Sequence, residues 1–185
     1  MDKFMKYIQR TIGLPLILPI EKYGNTKWYV DASFVVHKDM RINTGGFMNM
    51  GTGVAYVQPR KQILNTKSLT DAELVIADDV LAQVIRNIYF LKEKGYETHD
   101  NDIHQDNQSA IKLEKNGRWS SSKRTCHTNI ICYFITDRTT KQEASIELCP
   151  TLNTISYYTK KALQGYQFKR FYNIIIVIHE DDITY

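Results

Sequence analysis

Asp31, Glu73 and Asp106 are the residues of this chain whose types and positions best suit chemistry. Asp31 lies in WYVDASFVV, residues 28–36. There Trp28, Val30, Ala32 and Phe34 alternate with Tyr29, Asp31 and Ser33, which is the period of a β-strand. Tyr29, Val35 and Val36 leave that strand little polar surface, and a carboxylate in so apolar an element is costly unless something cationic compensates it. Glu73 is expected in the first turn of a long helix. Asp106 is expected to end a short strand, where the N–H groups of a following helix begin. Active sites in mixed sheets gather at strand ends and helix starts. Three carboxylates that converge there repel one another, and a divalent cation relieves the repulsion. Oxygen-only ligands select a hard ion such as magnesium or manganese. Two such ions about 4 Å apart activate a water and stabilise the leaving oxygen of a phosphodiester.

Two of the three acids also suit blander roles. Asp106 fits a cap on the following helix and Glu73 a partner for a helix dipole, whereas Asp31 has no such alternative. His104, beside Asp106, and His127 are placed for proton transfer. His104 equally fits a side chain turned off its strand into solvent, and His127 one packed at a helix end. Trp119 suits stacking on a sugar or base, or plain surface packing. Ser120, Ser121 and Ser122 have no adjacent base and make poor nucleophiles. Cys126, Cys132 and Cys149 are odd in number and lack CxxC spacing, so they form neither a zinc site nor a disulfide framework and suggest a reducing compartment. Cys132 falls on an apolar helix face and reads as core.

Periodicity and punctuation give the elements that must position the acids. Phe4, Met5, Ile8 and Ile12, stopped by Gly13, predict a short helix, and LPLILPI runs extended because Pro15 and Pro19 forbid a helix interior. The first strand spans about 27–36. Thr44-Gly45-Gly46 is expected to turn the chain into GFMNMG, and Gly51-Thr52-Gly53 to turn it back into VAYVQP, as a tight hairpin. In SLTDAELVIADDVLAQVIRNIYFLKEKG, Leu74, Ala77, Leu81, Val84, Ile88 and Leu91 recur at helical spacing. Ser68 or Thr70 caps that helix and Gly95 ends it. IHQD at 103–106 reads as a strand and NQSAIKLEKNG as a short helix closed by Gly117. HTNIICYFITDRTTK reads as another helix, and ASIELC at 144–149 as a strand ended by Cys149-Pro150. Residues from about 153 to 175 read as helix with a break at Gly165. Long crossovers between the later strands imply parallel pairing, and the first three strands form an antiparallel meander. The expected fold class is therefore α/β, a mixed sheet of three antiparallel strands then two parallel, with flanking helices.

A length of 185 residues, 43% hydrophobic and 24% charged, fits one domain with a core of its own. The stretch from Ile12 to Ile20 is too short and too proline-broken for a signal peptide, and NIIIVI is too short to span a bilayer. A soluble intracellular chain follows, cytoplasmic or nuclear, with no targeting signal and no membrane partner. The net charge is +4, but residues 178–185 hold three acids and no Lys or Arg, so the first 177 residues carry +7. Within them Lys112, Lys115, Arg118, Lys123 and Arg124 surround the single acid Glu114. Such a loop fits a polyanionic partner or a solvated connector.

YVDAS, NTKSLTDAELV and QDNQSAIKLEKNGRWSSSKR closely resemble the ribonuclease H domain at the end of the polyprotein of copia-type LTR retrotransposons. KYIQRTIGLPLIL resembles the segment joining that domain to the preceding reverse transcriptase, and the similarity runs from about residue 4 to residue 182. The resemblance implies a ribonuclease H-like fold that hydrolyses the RNA strand of an RNA–DNA hybrid with two magnesium ions, or manganese. It implies that Asp31, Glu73 and Asp106 are the catalytic metal ligands, with Glu73 also near the 2′-hydroxyl that distinguishes RNA from DNA. Lys115, Arg118, Trp119, Lys123 and Arg124 are the nucleic-acid-binding candidates. A reverse transcriptase domain is the expected partner in cis in a parent polyprotein, of which this chain resembles a detached terminal fragment. Residues 1–24 would be the connecting segment, 25–165 the ribonuclease H-like domain and 166–185 a helical tail.

The family's fourth acid is where this sequence departs. Its helix reads I-(A/S)-D-Y-F-T-K-(A/P)-L-Q-G, and this chain reads ISYYTKKALQG at 155–165, with Tyr157 at the Asp position when aligned without a gap and the Asp missing when aligned with a one-residue gap. A phenol with a pKa of about 10 is a poor magnesium ligand at neutral pH. Cys126, Thr128 and Cys132 likewise replace the family's Arg, Ile and Arg. Two functions fit: a nuclease weakened by an incomplete acid set, or a catalytically dead relic that folds and at most binds nucleic acid. An integrase or transposase on the same fold is disfavoured, because its glutamate would come last.

Overall fold

The computed structural model describes residues 5–6, 9, 12, 18, 20, 23–33, 42–51, 53–62, 66, 68–116, 126–150 and 165–176. Five strands form one sheet in the order β3-β2-β1-β4-β5. β1 (Thr26–Ser33), β2 (Asn43–Asn49) and β3 (Tyr56–Lys61) are the antiparallel meander. β4 (Asn101–Gln105) then pairs parallel with β1, and β5 (Ser145–Leu148) parallel with β4. The mixed sheet expected from the sequence is thus present, with β1 at its centre. Pro59 sits in β3, an edge strand, where a missing N–H breaks no ladder on the open side.

Among the described residues, the helices that pack with the sheet are α1 (Leu69–Glu93), α2 (Gln108–Asn116), α3 (Cys126–Thr140) and α4 (Gly165–Ile176). Ser68 caps α1, its Oγ accepting from the Asp71 N–H at 3.1 Å and donating to Asp71 Oδ2 at 2.8 Å. Gly95, at φ +82, takes the chain out of the last turn. Between those caps Leu74, Ala77, Leu81, Val84 and Ile88 turn one stripe into the core, against Trp28, Val30 and Ala32 of β1. The leucines, valine and isoleucine among them contribute about 1.5–3 kcal/mol each on burial, so the stripe fixes how α1 is rotated over the sheet. Tyr29 has the opposite parity and packs with Phe47, Val54 and Ile175 on the other face. Cys132 is buried in the core as expected, Cys149 is buried too, and neither is in a disulfide.

Thr44-Gly45-Gly46 is not a turn. These residues lie inside β2, opposite Ala32, Asp31 and Val30. A Cβ on Gly46 would stand 3.2 Å from Val80 Cγ2, so glycine here lets α1 approach the sheet. The third strand also starts later than VAYVQP suggests. Val54 precedes it and donates its N–H to the Ile175 carbonyl of α4 at 3.3 Å. Gly165, at φ +63, opens α4, while residues 151–164 lie outside the described residues. Among the described residues no helix is long and apolar enough to cross a membrane.

Candidate metal centre

The parallel pairing of β1 and β4 runs in register from Thr26↔Asn101 to Tyr29↔His104. Carried two residues further, it sets Asp31 beside Asp106 at the carboxyl ends of the two central strands. Glu73 reaches the same place from α1. One carboxylate oxygen from each of Asp31, Glu73 and Asp106 lies within 4.8 Å of the others. Asp31 and Glu73 are buried, at 7% and 1% exposure, and Asp106 is partly exposed. Solvent therefore reaches the cluster on the Asp106 side.

The blander roles open to two of these acids are filled by neighbours. Asn107 caps α2, its Oδ1 accepting from the Ser109 N–H at 3.0 Å and the Ala110 N–H at 3.1 Å. The first-turn acid of α1 is Asp71. Glu73, expected in that turn, is the fifth residue of the helix and points inward. Its Oε1 accepts the buried N–H of Ala32 at 2.9 Å, and its Oε2 accepts from Gln105 Nε2 at 3.2 Å.

Two residues of this centre were not foreseen. Gln105 ends β4 with no exposed surface and also donates from Nε2 to the Glu73 carbonyl at 3.3 Å. Its signal was an amide at an inward position of an alternating strand, since Asn101, Ile103 and Gln105 are the buried residues of β4. In sequence Glu114 stands out only as the single acid of a basic stretch. It is fully buried on the stripe Ala110, Ile111, Leu113, Glu114 of α2. Burial, and after it the charge of Glu73, push its carboxyl up to about 8, against the pull of Lys115. Neither of its oxygens has a hydrogen-bond partner among the described residues. The shift favours the neutral acid around neutral pH.

His104 does not turn into solvent. It is half-buried, its ring stacked on Tyr29 at 4.8 Å between centroids. Burial holds its imidazole below the ordinary value, with Glu147 and Asp102 opposing and Lys27 assisting. It is not among the residues of the carboxylate cluster. Lys115 is exposed at the end of α2. Arg118, Trp119, Lys123, Arg124 and Tyr157 lie outside the described residues, as does the side chain of His127.

The donor set fits a hard divalent ion. Oxygens bound to one octahedral magnesium at 2.0–2.1 Å stand about 3 Å apart when adjacent and about 4.2 Å when opposite. Oxygens already within 4.8 Å need only small side-chain movements to reach that geometry.

No protein-family model and no curated protein matches the sequence. Among solved structures, prototype foamy virus protease-reverse transcriptase superposes with a TM-score of 0.50 at 10% identity, covering 85% of this chain and 20% of that one. LC11-RNase H1, solved with an RNA/DNA hybrid, gives 0.49 at 7% identity over 70% of this chain and 88% of its own. RNase H1 from Halobacterium salinarum gives 0.41 at 13% identity over 69% and 87%. At these identities the likeness is one of fold. The chain has a ribonuclease H-like fold, a five-stranded mixed sheet with flanking helices.

Proposed function

We propose that this chain is a nuclease domain of copia-type retrotransposon origin that hydrolyses the RNA strand of RNA–DNA hybrids, slowed by the loss of its fourth acid. The observation that carries the reading is the convergence of Asp31, Glu73 and Asp106 from β1, α1 and β4. These three would hold magnesium or manganese, which when bound activates water and neutralises charge at the scissile phosphate. Glu73 enters with both oxygens held by donors, so it does not have to be ordered when a ligand arrives. Asp106, on the solvent side, is the acid nearest an incoming nucleic acid strand. Lys115, Arg118, Lys123 and Arg124 would neutralise phosphates of the hybrid, and Trp119 would stack on a sugar or base. A reverse transcriptase domain in cis would supply the hybrid. The motifs YVDAS and QDNQSAI support the copia-type origin.

Tyr157, in place of the family's aspartate, favours a second reading, a folded relic without activity. One experiment separates the two. The purified chain is incubated with a labelled RNA–DNA hybrid and magnesium or manganese, beside Asp106→Asn and Tyr157→Asp. Slow cleavage by wild type, none by Asp106→Asn and faster cleavage by Tyr157→Asp is the expected result. An inert wild type with an active Tyr157→Asp identifies the relic. Cleavage by Asp106→Asn at the wild-type rate removes the site assignment.

A further inference from the structure

Gln105 is the residue beside the carboxylates whose chemistry the proposed reaction leaves unused. It has no exposed surface. Its backbone is tied on the far side, the Cys149 N–H donating to its carbonyl at 2.8 Å. Its side-chain amide spans two acceptors of one residue, with Nε2 3.2 Å from Glu73 Oε2 and 3.3 Å from the Glu73 carbonyl. Which end of the amide faces Glu73 follows from chemistry, since the reverse orientation would set an amide oxygen against a carboxylate oxygen and a carbonyl. Gln105 Oε1 has no hydrogen-bond partner among the described residues, so the donor side orients the group.

We infer that Gln105 is the positioning residue for Glu73. The Ala32 N–H donates to Oε1 and Gln105 Nε2 to Oε2. The carboxylate plane is thereby set, with one of its oxygens within 4.8 Å of oxygens of Asp31 and Asp106. Neighbours that orient a ligating carboxylate govern metal affinity by about 10–100-fold. Glutamine suits the task where a second acid would not. It donates without adding charge next to three carboxylates and Glu114. The inference rests on the reading of the cluster as a metal site.

The test is titration of the full chain with Mn²⁺ alone, followed by calorimetry or the EPR signal of free Mn²⁺, beside metal-free melting curves. Gln105→Met keeps the volume and removes the donor, and Gln105→Asn keeps the amide but falls one methylene short. Asn101→Leu is the structural control, a buried amide at the other end of β4 bonded to Thr26 and away from the cluster. The expected result is about tenfold weaker Mn²⁺ binding in both Gln105 variants, with Asn101→Leu melting lower but binding Mn²⁺ as wild type does. If either folded Gln105 variant binds within twofold of wild type, the inference is overturned. It is also overturned if all three variants lose affinity in step with their melting points, because the role is then only structural. Asp31→Asn separates the two levels of the argument. A wild type that binds no Mn²⁺, or binding that survives Asp31→Asn, removes the metal site itself and the inference with it.

Discussion

Ala32 and Glu73 are joined across 41 residues of sequence by a buried hydrogen bond, backbone N–H to Oε1 at 2.9 Å. A backbone donor inside a central strand does not rotate away. The bond therefore pins the Glu73 carboxylate against the residue that follows Asp31, with oxygens of the two acids within 4.8 Å.

Two full charges 4.8 Å apart repel by about 3.5 kcal/mol at an effective dielectric of 20. In metal-free buffer Asp31→Asn should therefore melt above wild type, by about 2–4 °C for each kcal/mol relieved in a chain of this size. Saturating Mn²⁺ should raise the melting point of wild type and leave that of Asp31→Asn unchanged. Differential scanning calorimetry with and without metal measures both effects. A melting point below wild type for the metal-free variant would sink the claim of strain.

Glu114 makes stability depend on pH. Its carboxyl moves from an ordinary 4.5 in the unfolded chain to about 8 in the fold. The unfolded state thus gives up this proton first, and the native state loses stability as pH rises from about 4.5 to about 8, levelling off above. At 1.36 kcal/mol per pH unit the loss has an upper bound of roughly 4–5 kcal/mol. Glu114→Gln has no proton to lose. Urea unfolding at pH 5, 7 and 9 should show the variant with a flatter profile than wild type and greater stability at pH 9. Parallel profiles would rule the effect out.

The approach of α1 to the sheet at Gly46 predicts a coupled pair. Gly46→Val drives a branched side chain at Val80 Cγ2, which stands 3.2 Å from where even a Cβ would be, and should destabilise by about 1–3 kcal/mol. Val80→Ala alone leaves a cavity and also destabilises, by about 1–3 kcal/mol. The double variant should be more stable than the sum of the two losses by at least about 0.5 kcal/mol. Guanidinium unfolding of the four proteins gives the coupling, and strict additivity would mean that the two residues do not meet.

Phosphate contacts by the basic loop should appear as salt dependence. Lys123→Ala with Arg124→Ala should weaken binding to an RNA–DNA hybrid and reduce the slope of log affinity against log salt by about 1 for each charge removed. Fluorescence anisotropy on Asp106→Asn, to prevent cleavage, measures the slope. An unchanged slope returns the loop to a solvated connector.

The fold was legible because its signals are local and strong. The stripe of α1, with Ser68 before it and Gly95 after it, defined that helix, and the long crossovers dictated parallel pairing for β4 and β5. Gly45 and Gly46 misled because glycine in sequence marks both turns and crowded strands, and only the position of Val80 tells which. Asp31 was legible as an acid in an apolar strand, and Asp106 as one at a strand end. Gln105 and Glu114 were not singled out, since their roles depend on facing Glu73 from other elements. That relation is tertiary and leaves no spacing to read. His104 was misplaced for the same reason, because Tyr29 meets it only across the β1–β4 register.

The central place of β1 in the sheet has a consequence for how the molecule breathes. β1 is hydrogen-bonded on both sides, to β2 and β4, whereas β3 and β5 lie at the edges. Local openings begin where backbone hydrogen bonds are few, so the edges exchange their amide hydrogens first and the middle exchanges only with global unfolding. Asp31 and Ala32 belong to β1, the strand expected to exchange slowest. Asp31 should therefore hold its place through openings of the edge strands, whereas Asp106, past the end of β4 and partly exposed, can part from it in a local opening.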